Sequence, residues 1–171
     1  AGSFFEKNIT IVNVKRRLNI PDSQPVNKFD IQFFPEGGNL VNNLKSVVAF
    51  KATDQYGKGI NFHGFLLDNS DTVFVFKPQH AGMGKFSFTP LPNHDYTALI
   101  KSDSGYSEII NLPKAYNSGY VMTLSDEGDK ISVNIQSDIL LQQPLYIFIH
   151  TMEVTKVAKE GTMENGKVVF S

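Results

Sequence analysis

The chain contains no cysteine and no tryptophan. The first absence excludes disulfides, thiolate nucleophiles and Cys-ligated zinc or iron–sulfur centres. The second removes one of the two side chains on which sugar-binding β-sandwiches stack their ligands, and leaves tyrosine to do it. Charge of one sign is also missing. The net charge is −1 and the pI is near 6.5, so the basic footprint of a nucleic-acid binder is not there. The longest basic run, Lys15-Arg16-Arg17, reads as a solvated stretch. No apolar run approaches the roughly 18 residues of a membrane-spanning helix. Nor does any window hold apolar residues at i, i+3, i+4 and i+7 without interruption, so no amphipathic helix is expected.

What the chain has is phenylalanine, 14 residues of it in 171, with six tyrosines. These are set in short runs of alternating or β-branched residues. Asp30–Phe34 is the clearest, an aromatic strand that stops at Pro35-Glu36-Gly37-Gly38. Further strands are expected at Val47–Thr53, Phe62–Leu67, Thr72–Lys77, Lys85–Thr89, Tyr96–Lys101 and Ser107–Asn111. Turn-forming clusters separate them, including Asp54-Gln55-Tyr56-Gly57-Lys58-Gly59 and Asp68-Asn69-Ser70-Asp71. After Leu112-Pro113-Lys114-Ala115 the rhythm resumes at Tyr120–Leu124, Lys130–Gln136, Leu145–His150, Glu153–Glu160 and Lys167–Phe170. Strands every eight to twelve residues predict an all-β protein built from tandem immunoglobulin-like antiparallel sandwiches.

The organisation expected from this spacing has four parts. Residues 1–14 form the closing strand of a preceding domain, and 15–27, with Pro21 and Pro25, a linker. Residues 28–113 form one sandwich, and 114–171 a partial second one. The start at Ala1-Gly2-Ser3-Phe4-Phe5 and the end on Val168-Val169-Phe170-Ser171 read as a segment of a longer protein.

Reaction chemistry is sparse in the sequence. Of the four histidines, His80 and His94 flank one expected strand and Asp95 adjoins His94, but no pair has ligand spacing. The expectation is no metal, no cofactor and no catalytic residue. Asp126-Glu127-Gly128-Asp129 reads as a hairpin turn rather than a calcium loop. Gly82-Met83-Gly84 has no following helix to cradle a phosphate, and its glycines are expected to admit positive φ. Ser102, Ser104 and Ser107 lack the Gly-x-Ser-x-Gly elbow of a hydrolase. Tyr56, Tyr106 and Tyr116 fall in or near turns and are the candidates for an exposed contact patch, for a protein partner or a glycan.

The blocks Asp30-Ile31-Gln32-Phe33-Phe34-Pro35-Glu36-Gly37-Gly38-Asn39-Leu40-Val41, Val48-Ala49-Phe50-Lys51-Ala52 and Gly82-Met83-Gly84-Lys85-Phe86-Ser87-Phe88-Thr89-Pro90, closed by Tyr96-Thr97-Ala98, resemble macroglobulin-like β-sandwich domains. Such domains occur in bacterial surface proteins, some of which carry a TonB-dependent receptor plug. The resemblance covers about two-fifths of the chain and lacks the Cys-Gly-Glu-Gln thioester motif, so covalent trapping does not carry over. It implies export to the periplasm, outer membrane or cell surface of a Gram-negative bacterium. The implied role is a non-catalytic scaffold or recognition segment of a larger protein, with neighbouring domains or a protein partner as its contacts. The alternative is an accessory or carbohydrate-binding domain of a secreted enzyme. In such a setting Thr72, within Asp71-Thr72-Val73, is a candidate O-glycosylation site. Edge strands at the open end of the second sandwich are expected to allow pairing between copies.

Overall fold

A computed structural model describes residues 29–103, 105–139 and 144–171. Every regular element in these residues is a strand. The strand expected at 1–14, the linker at 15–27 and residues 140–142 of the loop after Ser137 lie outside the described residues.

In the first unit, β1 (Asp30–Pro35), β3 (Ser46–Thr53) and β6 (Met83–Phe88) form one antiparallel sheet in the order β1-β3-β6. The facing sheet takes β5 (Asp71–Phe76), β4 (His63–Asp68), β7 (Tyr96–Lys101) and β8 (Ser107–Asn111) in that order. Period-two alternation decides which side chains turn inward. On β3, Ser46, Val48, Phe50 and Ala52 are buried while the residues between them are more open; on β7 the buried set is Tyr96, Ala98 and Ile100. The two inner faces meet in one core that also takes Phe29, Ile31, Leu66, Phe76 and Phe86.

Phe50 is the centre of that core. Its ring lies 5.1 Å from Phe76, 5.6 Å from Phe62, 6.3 Å from Phe86 and 6.5 Å from Phe33, at tilted or edge-on angles. These angles suit ring quadrupoles better than a face-to-face sandwich does. The Gly-Met-Gly turn serves the same ring. Gly82 has φ +77° as expected, but Gly84 is not in the left-handed region. A Cβ at Gly84 would lie 2.5 Å from the Phe50 ring, so this glycine provides room rather than a turn.

The second unit is smaller. β10 (Tyr120–Asp126), β11 (Ile131–Ser137) and β14 (Lys167–Phe170) form one sheet, and β12 (Pro144–Thr151) with β13 (Val154–Thr162) a long hairpin. Their shared core is Val133, Met163, Val168 and Phe170, with Ile135, Leu145 and Ile147 against it. Tyr146, Phe148 and Ile149 on β12 stay largely in solvent.

Two very short strands have no counterpart among the strands expected from the sequence. β2 (Leu40–Val41) and β9 (Ala115–Tyr116) pair in parallel, Leu40 with Ala115 and Val41 with Tyr116. The segment after Leu112 therefore runs straight into a backbone ladder with the first unit. A two-residue strand has no readable periodicity, so it leaves no trace in the sequence pattern.

Candidate functional site: the unit junction and the loop tyrosines

The residues Pro-Glu-Gly-Gly that end β1 build the junction. Glu36 Oε1 accepts a hydrogen bond from the Leu124 amide of β10 at 2.6 Å. Gly37, at φ +81°, brings its backbone so close that a Cβ would lie 2.9 Å from the Met122 nitrogen. Glycine alone allows both that φ and that approach without cost. Beside it, Asn42 donates from its backbone to the Tyr116 carbonyl (2.9 Å) and from Nδ2 to Asn117 Oδ1 (3.1 Å). Leu40, Val41 and Val121 are almost fully buried around these bonds. On the far side, Asp138 Oδ1 accepts from Gly119 N and from Ser118 Oγ, which fixes the turn into β10. β10 is an edge strand, and Glu36 occupies one of its outward amides. A carboxylate that takes a strand-edge N–H is a charge-assisted bond and blocks pairing by another chain there.

The three tyrosines do not form one patch. Strand register divides the first unit into two ends. Asp30, Thr53, His63, Phe76, Met83, Lys101 and Ser107 mark one end; Pro35, Ser46, Asp68, Phe88, Tyr96 and Asn111 mark the other. Tyr56 and Tyr106 lie in loops at the first end, and Tyr116 at the second, beside the junction. Tyr56 is 75% exposed on a turn built by Asp54, whose Oδ1 accepts from the amides of Tyr56 and Lys58, both at 2.9 Å. Tyr116 is 60% exposed, held through its backbone by β2 and Asn42. Tyr106 differs. Its ring packs edge-on against Phe29 at 4.7 Å and joins the core, and its hydroxyl donates to Glu108 Oε2 at 3.1 Å.

Desolvation of this half-buried phenol, then its bond to Glu108 and that carboxylate's charge, raise its pKa above the ordinary 10.0. An acid whose folded pKa is raised stabilises the fold below its unfolded pKa. That contribution is lost as pH rises from 10.0 through the folded value. Ultraviolet titration should therefore show the Tyr106 phenol ionising above 10.0, and Glu108→Gln, which removes the charge beside it, should lower its pKa. An unchanged phenol in that variant would contradict the assignment.

His94 has a partner that sequence adjacency hid. Its Nδ1 lies 2.6 Å from Asp68 Oδ2, at the end of β4, and its ring stacks on Tyr96 at 6.3 Å. Asp95 instead sits 3.9 Å from Lys114. His80 lies in the turn between β5 and β6, at the opposite end from His94, so the two histidines do not converge. His94, Asp95, Tyr96, Asn111 and Lys114 line a concavity of about 360 Å³ that leads toward the junction. Asp126 spends its carboxylate on the Gly128 amide (2.8 Å), closing the β10–β11 hairpin as a turn residue does. Among the described residues, no group of three or more histidines and carboxylates gathers as a metal site would. Thr72 is exposed on β5, an edge strand.

No protein-family model, curated protein or solved structure matches this chain.

Proposed function

We propose that this chain is a non-catalytic scaffold and recognition segment of a larger exported bacterial protein, working at the outer membrane. The observation that carries this reading is the junction. Two β-units joined by a bare linker would swing freely. Here a parallel ladder, the Glu36–Leu124 bond and the Asn42–Asn117 bond tie them together. That supports a spacer which holds neighbouring modules at a set distance. Its recognition surfaces are strand edges and loop tips such as the Asp54–Gly59 turn, which bind by preformed shape. The macroglobulin-like sequence pattern supports the exported setting.

Fractionation of the native cells, with protease added outside, tests the reading. The segment is expected in the envelope fraction, and recovery in the cytosol would contradict it. For the recognition role, a glycan or protein ligand is expected to lose affinity at least tenfold on Tyr56→Ala, without a change in melting temperature. Equal binding by that variant removes Tyr56 from the surface.

A further inference from the structure

Strand β5 is an edge of the four-stranded sheet; among the described residues no further strand is laddered to its outer side, and the Phe74 ring stacks on Phe86 of β6 at 5.8 Å. Its ladder runs to β4, and among the described residues no other hydrogen bond reaches Asp71–Phe76. Val73, Phe74 and Val75 are 49, 40 and 55% exposed, a run of apolar, strongly β-forming residues on a free edge. Outward N–H and C=O groups on such an edge are a template for one more strand.

The charges identify which strand. At one end, Asp71 stands directly across from Asp68. At the other end comes Lys77, and Lys85 of β6 lies beside it in a shallow concavity of about 370 Å³ shared with Phe74, Phe76 and His63. Asp71, Lys77 and Lys85 have no ion-pair partner among the described residues. Along β5 the order is therefore acidic, apolar, basic. A stripe of that kind is complementary to itself when one copy is turned end over end.

We propose that two copies of this chain pair antiparallel through β5, about a two-fold axis near Phe74. In that register Phe74 meets its counterpart, Val73 meets Val75, and Asp71 meets Lys77. The two four-stranded sheets run on into one, and the contact is isologous as a two-fold dimer requires. Cross-strand aromatic and β-branched pairs stabilise such ladders, and opposite charges at both ends set the register. The register against β4 slips between Leu66 and Leu67, leaving Val73 unmatched there. That bulge twists the strand and keeps the matched run short, so the dimer is a reversible one. It is a property of this edge and does not depend on where the cell places the protein. An O-glycan on Thr72 would screen the same edge, so the test uses protein made without one.

Sedimentation equilibrium across a concentration series tests it. The wild type is expected to associate to a dimer, more weakly at high salt than at low. Val75→Lys puts a charge on an exposed mid-strand position and is expected to raise the dissociation constant at least tenfold. Lys77→Asp, which sets like charges opposite each other, is expected to do the same. Asp71→Lys with Lys77→Asp restores opposite charges and is expected to restore the dimer. Ile109→Lys, on the other edge of the sheet, is expected to leave it intact. Circular dichroism and melting curves check that each variant folds. A wild type that stays monomeric up to about 1 mM overturns the proposal. So does a dimer that survives Val75→Lys, a double variant that fails to recover, or a dimer lost with Ile109→Lys.

Discussion

Phe50→Ala is expected to destabilise the first unit by about 3–5 kcal/mol and to lower its melting temperature by more than about 12 °C. Phe50 is 2% exposed and touches the rings of Phe33, Phe62, Phe76 and Phe86. Its removal takes away the buried ring and leaves a void where surrounding rings cannot all collapse, since both sheets hold them by backbone ladders. Gly84 makes the point a second way. Because its missing Cβ gives Phe50 its place, Gly84→Ala should also destabilise, and the pair Phe50→Leu with Gly84→Ala should cost less than the sum of the two alone. Urea unfolding followed by tyrosine fluorescence measures all four proteins. Strict additivity would contradict the packing account.

Gly37→Val is expected to open the junction while both units remain folded. Two effects combine there. The left-handed φ of +81° costs a β-branched residue about 1–2 kcal/mol, and the new Cβ meets the Met122 backbone, which cannot rotate away as a side chain would. Gly38→Val separates the two. Gly38 also has a left-handed φ, +95°, but a Cβ there meets nothing within 4 Å. Small-angle scattering should show a larger radius of gyration for Gly37→Val and an almost unchanged one for Gly38→Val. Equal profiles for the two would assign the effect to backbone strain alone.

Much of the architecture was legible because alternation of side chains has a period of two, and β3 and β7 keep it from end to end, whereas in β11 Ile131 turns outward and Ser132 inward. The ends of β7 and β8 at Tyr96–Lys101 and Ser107–Asn111 match the expected strands residue for residue, because turn residues bracket them on both sides. What sequence could not show is long-range pairing. Asp68 and His94 are 26 residues apart and meet only because β4 lies next to β7. Glu36 reaches Leu124 across 88 residues for the same kind of reason. The Pro-Glu-Gly-Gly signal marked a turn, which is local; its partner strand is a property of the fold. Tyr106 read as a loop tyrosine because its neighbours Ser102, Asp103 and Gly105 are turn formers. Phe29, which covers its ring, is 77 positions away in the chain (106 − 29).

Glu36 fastens the two units by binding the edge of β10. Amide hydrogen exchange at Leu124, followed by NMR in the wild type and in Glu36→Ala, reads that bond itself. Among the described residues this outward amide has no other acceptor, so its protection should come from the carboxylate. Exchange in the wild type is expected to be about tenfold slower, matching a bond worth about 1.4 kcal/mol, with the amides of Val133 and Ile135 unaffected. The same fast exchange at Leu124 in both proteins would mean that Glu36 does not hold β10, and that the two units are not fastened in this way.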